Sequence, residues 1–402
     1  MKSWKIVLTV LMVVMLFATA CAPAATPAPA APAAPPAPTA ALAAATVAPV
    51  APAAPAAVDP ALTSEYSMAL VKDSQIDVDT AKYKKAGPYT IGVAGRDPGN
   101  GFGNVFQLTV KGYGDELLAK GVLAKPLLVT ATNDANKQIS DIEDFVNLKV
   151  DAIVAAPMSR SALVGTIKRA VDAGIPVVLC TDGIEGTEFT TRVDVNLYEA
   201  GYRSGDGLAK ILGGKGNIIL FHGIAGVDAA ETERAGALEA LKNYPDIKVL
   251  AEEYAQWNIA TGKQKTEALM AAHPQIDGVW AGGGEMALGA AMAFRDANKT
   301  APAFAMVNVP NGFLRLAQEF NYKFVAAPDP PSMTKYCLQT AVDILEGKPV
   351  KKFIDVRNLM DGASVYDNTD FIKYYVAELN DDFIPPATVD IKNYIDGGFK
   401  RK

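Results

Sequence analysis

Short apolar runs that do not alternate with polar residues, each followed by a helical pattern, recur along this chain and constrain its fold more than any other feature. Residues 89–94 (Tyr-Thr-Ile-Gly-Val-Ala) form the first, closed by Gly95, Pro98, Gly99 and Gly101. A helical spacing follows through Phe106, Val110, Tyr113, Leu117 and Leu118. Residues 127–131, a helix carrying Ile139, Ile142 and Val146, and the strand 152–157 continue the series. A helix over 160–174 then leads into the strand 175–181. Strands that are apolar on both faces need helices on both sides of the sheet, and strand–helix alternation implies right-handed crossovers and a parallel sheet.

The plan then repeats. A helix over 196–213, the strand 217–222, a helix at 229–243, the strand 247–251 and a helix over 259–273 lead to the strand 278–281. A helix near 285–297 and the strand 304–307 follow, and 331–347 reads as one more amphipathic helix before a less regular tail at 366–402. Two consecutive halves of similar size predict two Rossmann-like lobes and not one large sheet. Ligands of open parallel sheets bind beyond the carboxyl ends of the strands, so two facing sheets would line one cleft with their strand-end loops.

The first 60 residues belong to neither half. Lys2 and Lys5 precede a twelve-residue apolar run at 6–17, which as a helix would cover about 18 Å, short of a roughly 30 Å hydrocarbon core. The following Ala18-Thr19-Ala20-Cys21 resembles the lipobox of bacterial lipoproteins, which implies a leader over 1–21 and acylation at Cys21. Multiple acyl chains on one residue give stable membrane anchoring. Residues 22–58 hold 20 Ala, 10 Pro and no charge, too little bulky apolar surface to offset ordering entropy. The segment 22–60 is therefore expected to be a disordered, semi-extended tether.

Composition removes several classes of function. A formal charge of −6 gives no electrostatic reason for nucleic-acid binding. Only His222 and His273 are present, and Cys21, Cys180 and Cys337 are the three cysteines, so neither a His-rich metal site nor an all-cysteine zinc site is expected. No nucleophile elbow, zinc-protease or Walker sequence occurs, and no catalytic residue, metal or cofactor is expected. Gly282-Gly283-Gly284 opens a helix after a strand, but the third glycine of a dinucleotide fingerprint would fall on Ala287. His222 reads as a hydrogen-bonded core histidine, and Cys180 and Cys337 as buried free thiols that an exported protein could oxidise if they lie close.

From about residue 88 to 365 the chain resembles the type I periplasmic substrate-binding proteins of sugar ABC transporters, the ribose-binding group. The matching stretches are 137–144 (Lys-Gln-Ile-Ser-Asp-Ile-Glu-Asp), 150–157, 173–178 (Ala-Gly-Ile-Pro-Val-Val) and 196–201 (Asn-Leu-Tyr-Glu-Ala-Gly), then 213–218, 244–250 and 285–290. The resemblance implies a first lobe over 88–194 plus 330–352 and a second over 195–329 plus 353–402. A three-segment hinge would cross near 194, 329 and 353. It also implies closure on a small solute and delivery to ABC permease subunits by a monomeric, lipid-anchored protein on the extracytoplasmic side, with a sensory lipoprotein as the alternative role.

By the same resemblance, Trp257, Phe102 and Phe106 occupy positions of ligand-facing aromatics, and Asp182 and Asp329 those of polar contacts. Three departures set this chain apart. Glu233, with Arg234 beside it, stands where an arginine is usual; Gly282-Gly283-Gly284 replaces an Asn or Asp; and Asn308 lies where an acid is usual. A bulkier, less hydroxylated or partly cationic solute, with Glu233 supplying charge, and a register in which Arg234 faces the cleft are both open at this point.

Overall fold

The computed structural model describes residues 64–359, 366–367, 370 and 372–385. The expected leader with Cys21, the tether at 22–60 and the end of the tail lie outside the described residues.

The chain enters through α1 (Ser64–Asp73) and β1 (Asp77–Val78), then builds its first sheet. β2 (Ile91–Gly95), α2 (Gly101–Ala119), β3 (Leu128–Ala131), α3 (Ala135–Asn147), β4 (Ala152–Ala155), α4 (Val164–Asp172), β5 (Val177–Cys180) and β6 (Thr191–Asp194) follow in order. β2, β4 and β5 are buried along their whole length, as unalternated apolar strands between helical layers must be. β3 alternates between half-buried and exposed positions because it lies at the sheet edge. Side-chain caps start the helices: Asn100 accepts from the Gly103 amide and Asp134 from the amides of Asn136 and Lys137.

The second sheet comes from α5 (Leu197–Ile211), β7 (Lys215–His222), α6 (Asp228–Leu241), β8 (Asp246–Tyr254), α7 (Ile259–Ala272), β9 (Gly278–Ala281), α8 (Gly284–Asp296), β10 (Ala303–Val307), α9 (Asn311–Phe320) and β11 (Phe324–Ala327). The chain then returns to the first lobe through α10 (Thr334–Leu345), β12 (Val350–Lys351) and β13 (Phe353–Asp355), and crosses again to β14 (Tyr366–Asp367). The sheet orders are β13-β6-β5-β4-β2-β3 and β14-β11-β10-β9-β7-β8, with β1 and β12 forming a separate antiparallel pair. All pairings within the two large sheets are parallel except β14 on β11. The two-lobed α/β architecture is the expected one.

Four expectations need correction. β13 pairs with β6, Phe353 opposite Arg192, so residues 353–355 belong to the first sheet and the third crossing lies beyond 355, not at 353. The segment 331–347 is not one helix: a 3-10 turn at Pro331–Met333 precedes α10. Helix α9 and strand β11 were not anticipated, although Phe313, Leu314, Leu316 and Ala317 mark a buried helical stripe. Cys180 and Cys337 are not free thiols; they form a disulfide joining β5 to α10 with the second lobe's sequence between them.

Part of the tail is ordered against both lobes. Leu379 and Phe383 are fully buried with Val105 of α2, while Asn311 Nδ2 on α9 donates to the carbonyls of Val376 (2.8 Å) and Leu379 (2.9 Å). Arg315 Nη2 of α9 pairs with Asp381 at 2.8 Å.

Candidate functional site

Between the lobes lies a cavity with about 620 Å³ of empty space, its mouth included. Its walls are the residues just past the strands' carboxyl ends: Arg96 after β2, Asn133 after β3, and Thr181 and Asp182 after β5. The second lobe contributes Gln256 and Trp257 after β8, Gly282 after β9, Asn308 after β10 and Asp329 after β11. Asn100 and Phe102 at the start of α2, Glu285 at the start of α8 and Glu233 within α6 complete it.

The backbone is strained at this rim. Thr181, Gln256, Trp257 and Asn308 have φ of 67°, 59°, 49° and 63°, left-handed values that non-glycine residues hold only when their surroundings impose them. At Trp257 the surroundings are visible. Its indole Nε1 donates to the Gly282 carbonyl at 2.6 Å, and its ring lies where side chains on Gly223 and Gly283 would stand, 2.1 and 2.3 Å from its atoms. The Arg96 guanidinium sits 5.7 Å from the ring centroid. Gly283 therefore serves the indole's close approach, whereas a side chain on Gly282 would meet Glu233 and one on Gly284 would meet Pro310 and Asn308.

Helix α6 brings Glu233 inward because it lies close against α5: a methyl on Gly201 would stand 2.0 Å from the Glu233 carbonyl oxygen. Glu233 is 2% exposed and its Oε2 has no partner. Arg234 points elsewhere, its Nε donating to Glu252 at 2.7 Å, so the register that turns it into the cleft does not occur. Glu252 also meets His222 Nε2 at 3.1 Å. His222 is a core residue, as expected, with burial lowering its pKa. Phe106 is likewise removed from the site: it is fully buried among Ile91, Val93 and Val110 in the first lobe's core. Phe102, Asp182, Glu233, Trp257, Asn308 and Asp329 are brought together around the cavity; Phe106 and Arg234 are not.

The acids of the wall have distinct electrostatic settings. Burial raises Asp182, although Arg96 pairs with it and the Ala229 amide donates to it at 3.1 Å. Burial, then repulsion from Asp329, Asp182, Asp194 and Asp228, pushes Glu233 well above the carboxylate range. Asp329 is pushed up in the same way, by burial and then by Asp194 and Asp182, and its Oδ1 has no partner. Burial raises Glu285 to about 7. Its Oε1 lies 3.4 Å from the Phe102 amide of the opposite lobe.

The lobes also meet beside the cavity. Asp228, the first residue of α6, accepts from the Gly183 amide at 3.0 Å and from the Tyr66 hydroxyl at 2.9 Å, and pairs with Arg192 at 2.8 Å. Burial acts to raise Asp228, but Arg192 and Arg160 outweigh it and hold its pKa down. Sequence reasoning missed Arg96, Asn100, Asn133, Gln256 and Glu285. Each follows a strand closely, so the strand-end rule by itself could have flagged them.

Two α/β lobes whose strand ends enclose one polar cavity with an aromatic wall define a two-lobed solute-binding protein. Residues 91–349 match the model of the periplasmic binding protein domain, and the chain belongs to that family. A xylitol-binding protein of Mycolicibacterium smegmatis is 33% identical over 172 residues, which is 42% of this chain and 49% of that relative. The ribose import binding protein of Bacillus subtilis is 29% identical over 270 residues, 66% of this chain and 85% of the relative. Thus the match spans about half the length of the first relative and most of the second. Among solved structures, a Bacillus halodurans ABC transporter solute-binding protein with bound myo-inositol superposes with a TM-score of 0.65 at 21% identity, covering 72% of this chain and 98% of that one. An arabinose ABC transporter binding protein from Shewanella superposes at 0.64 with 22% identity, covering 71% and 94%. Among the described residues, no helix is long and apolar enough to cross a membrane.

Proposed function

We propose that the chain is the extracytoplasmic solute receptor of an ABC importer and that it takes a polyhydroxylated, sugar-like molecule between its lobes. The carrying observation is a single cavity to which both lobes contribute polar groups, Arg96 and Asp182 from one and Glu233, Asn308 and Asp329 from the other, beside the indole of Trp257. A solute that touches both walls stabilises the closed arrangement by its differential affinity, and the closed form presents both lobe surfaces to a permease. Planar side chains that accept and donate in pairs suit hydroxyls, and the indole face suits the C–H surface of a sugar or polyol. The disulfide supports an oxidising compartment. Attachment through Cys21 and a monomeric state complete this reading.

Thermal unfolding against sugars, polyols, nucleosides and amines tests it. The right solute at about 100 times its Kd is expected to add about 2.7 kcal/mol of stability, seen as a rise of several degrees in Tm. A panel in which no solute moves Tm counts against a receptor. Stimulation of a reconstituted permease's ATPase by the loaded protein separates import from sensing.

A further inference from the structure

The charged groups that face the cavity do not balance. Among the described residues, Asp97, Asp182, Glu233, Glu285 and Asp329 line it, with Arg96 as the lining cation. Three of these acids are already served. Asp182 has Arg96 and the Ala229 amide, Asp97 accepts from the Gly99 amide at 2.8 Å, and Glu285 receives the Phe102 amide. Glu233 and Asp329 each keep an oxygen that is not, although Arg96 and the Asn308 side chain act on Asp329 to lower its pKa. They are 2% and 4% exposed, and each has a carboxyl oxygen, Oε2 and Oδ1, with no partner. Arg192, which is buried, and Arg160, which is partly buried, are engaged with Asp194 and Asp228.

A buried carboxyl group without a partner is costly, and a second one beside it makes ionisation of both costlier still. A neutral polyol could fill the hydrogen-bonding capacity of these oxygens but would leave both acids protonated, with no gain from ionising them. An ammonium supplies both its charge and up to three donors. Resting on the solute-receptor reading, we propose that the solute of this cavity is a polyhydroxylated amine. Its protonated nitrogen lies between Glu233 and Asp329, and its hydroxyls meet the amide side chains of Asn100, Asn133, Gln256 and Asn308. Because burial raises both acids in the empty site, helped by Asp329 at Glu233 and by Asp194 and Asp182 at Asp329, the incoming cation draws their pKa values down and binding releases protons.

Calorimetry on the full chain at pH 7 tests this with matched pairs that differ only at nitrogen. These are 1-amino-1-deoxy-D-ribitol against ribitol, D-glucamine against D-glucitol, and 1,4-dideoxy-1,4-imino-D-ribitol against 1,4-anhydro-D-ribitol. In at least one pair the amine is expected to bind ten or more times tighter than its partner. Glu233→Gln and Asp329→Asn are each expected to cut that ratio about tenfold while leaving Tm equal to or above the parent. Titrations in buffers of different ionisation enthalpy should show proton release for the amine. A neutral member that binds as tightly as its amine, or a ratio insensitive to both substitutions, overturns the charge assignment and leaves the polyol-receptor reading standing. If no member of any pair binds and no other solute in the thermal panel raises Tm, both readings fall together.

Discussion

At the scale of single residues, the site combines one aromatic face with buried acids in unlike settings. Trp257 holds a left-handed backbone so that its indole can lie along Gly223 and Gly283. Trp257→Ala removes that surface, and titration of the cognate solute should show a loss of about 10–100-fold, the order of a buried aromatic contact. Glu285 predicts a pH dependence. Its pKa is raised by burial to about 7, above the roughly 4.3 of an unfolded chain, so the folded state binds the extra proton between those values. Stability of the empty protein should therefore fall as pH rises from about 4.3 to 7. Glu285→Gln should remove roughly 3–4 kcal/mol of that fall, measured by denaturant unfolding across the range. An unchanged pH profile in the variant would show that Glu285 is not held in a dry site. Neither the strain at Trp257 nor the burial of Glu285 is visible in the sequence. Both arise from groups far apart along the chain: the pairing of β7 with β8 brings Gly223 to Trp257, and the cleft brings Phe102 to Glu285.

At the scale of elements, helices and strands were legible wherever apolar spacing was dense. β9 begins and ends at the expected residues, and α2, α7 and α8 lie where the spacing puts them. β6, Thr191–Asp194, was illegible because its buried polar side chains make ion pairs and hydrogen bonds in place of apolar contacts: Arg192 Nε donates to Asp194 at 2.9 Å. α9 hid behind Pro310, which caps it and did not break it. The tail around 376–383 follows no periodicity because its backbone is satisfied by Asn311 and Gly312 of α9, whose amides donate to Phe383 and Asp381 at 2.7 and 2.8 Å. This segment ties α2 to α9 across the two lobes. Phe383→Ala should cost about 3 kcal/mol in equilibrium unfolding, and small-angle scattering should show a larger radius of gyration for the unliganded variant. A variant that unfolds less stably yet scatters identically would confine the tail to a packing role.

At the scale of the whole molecule, three crossings hold two sheets that could each be covered independently. The Cys180–Cys337 bond closes a loop of 157 residues that contains the entire second lobe's main run. Long closed loops restrict the unfolded chain most, by about 4–5 kcal/mol in the chain-entropy view. Cys337→Ser, or reduction, is thus expected to lower the first lobe's transition while the second lobe, whose sheet it does not touch, melts nearly unchanged. Calorimetric scans with and without reductant distinguish this from a uniform loss.

By itself the sequence determined the parallel α/β halves, because apolar strands covered on both faces admit no other layering. It also determined that strand-end residues such as Asp182, Trp257 and Asn308 would share one rim. Which side chains face that rim was decided by tertiary structure. A turn of α6 against the glycines of α5 separates Glu233 from Arg234, and the depth of the first lobe's core separates Phe102 from Phe106. Local propensity is nearly equal for such neighbours. What differs is the packing around each, and that exists only once the helices of each lobe have packed together.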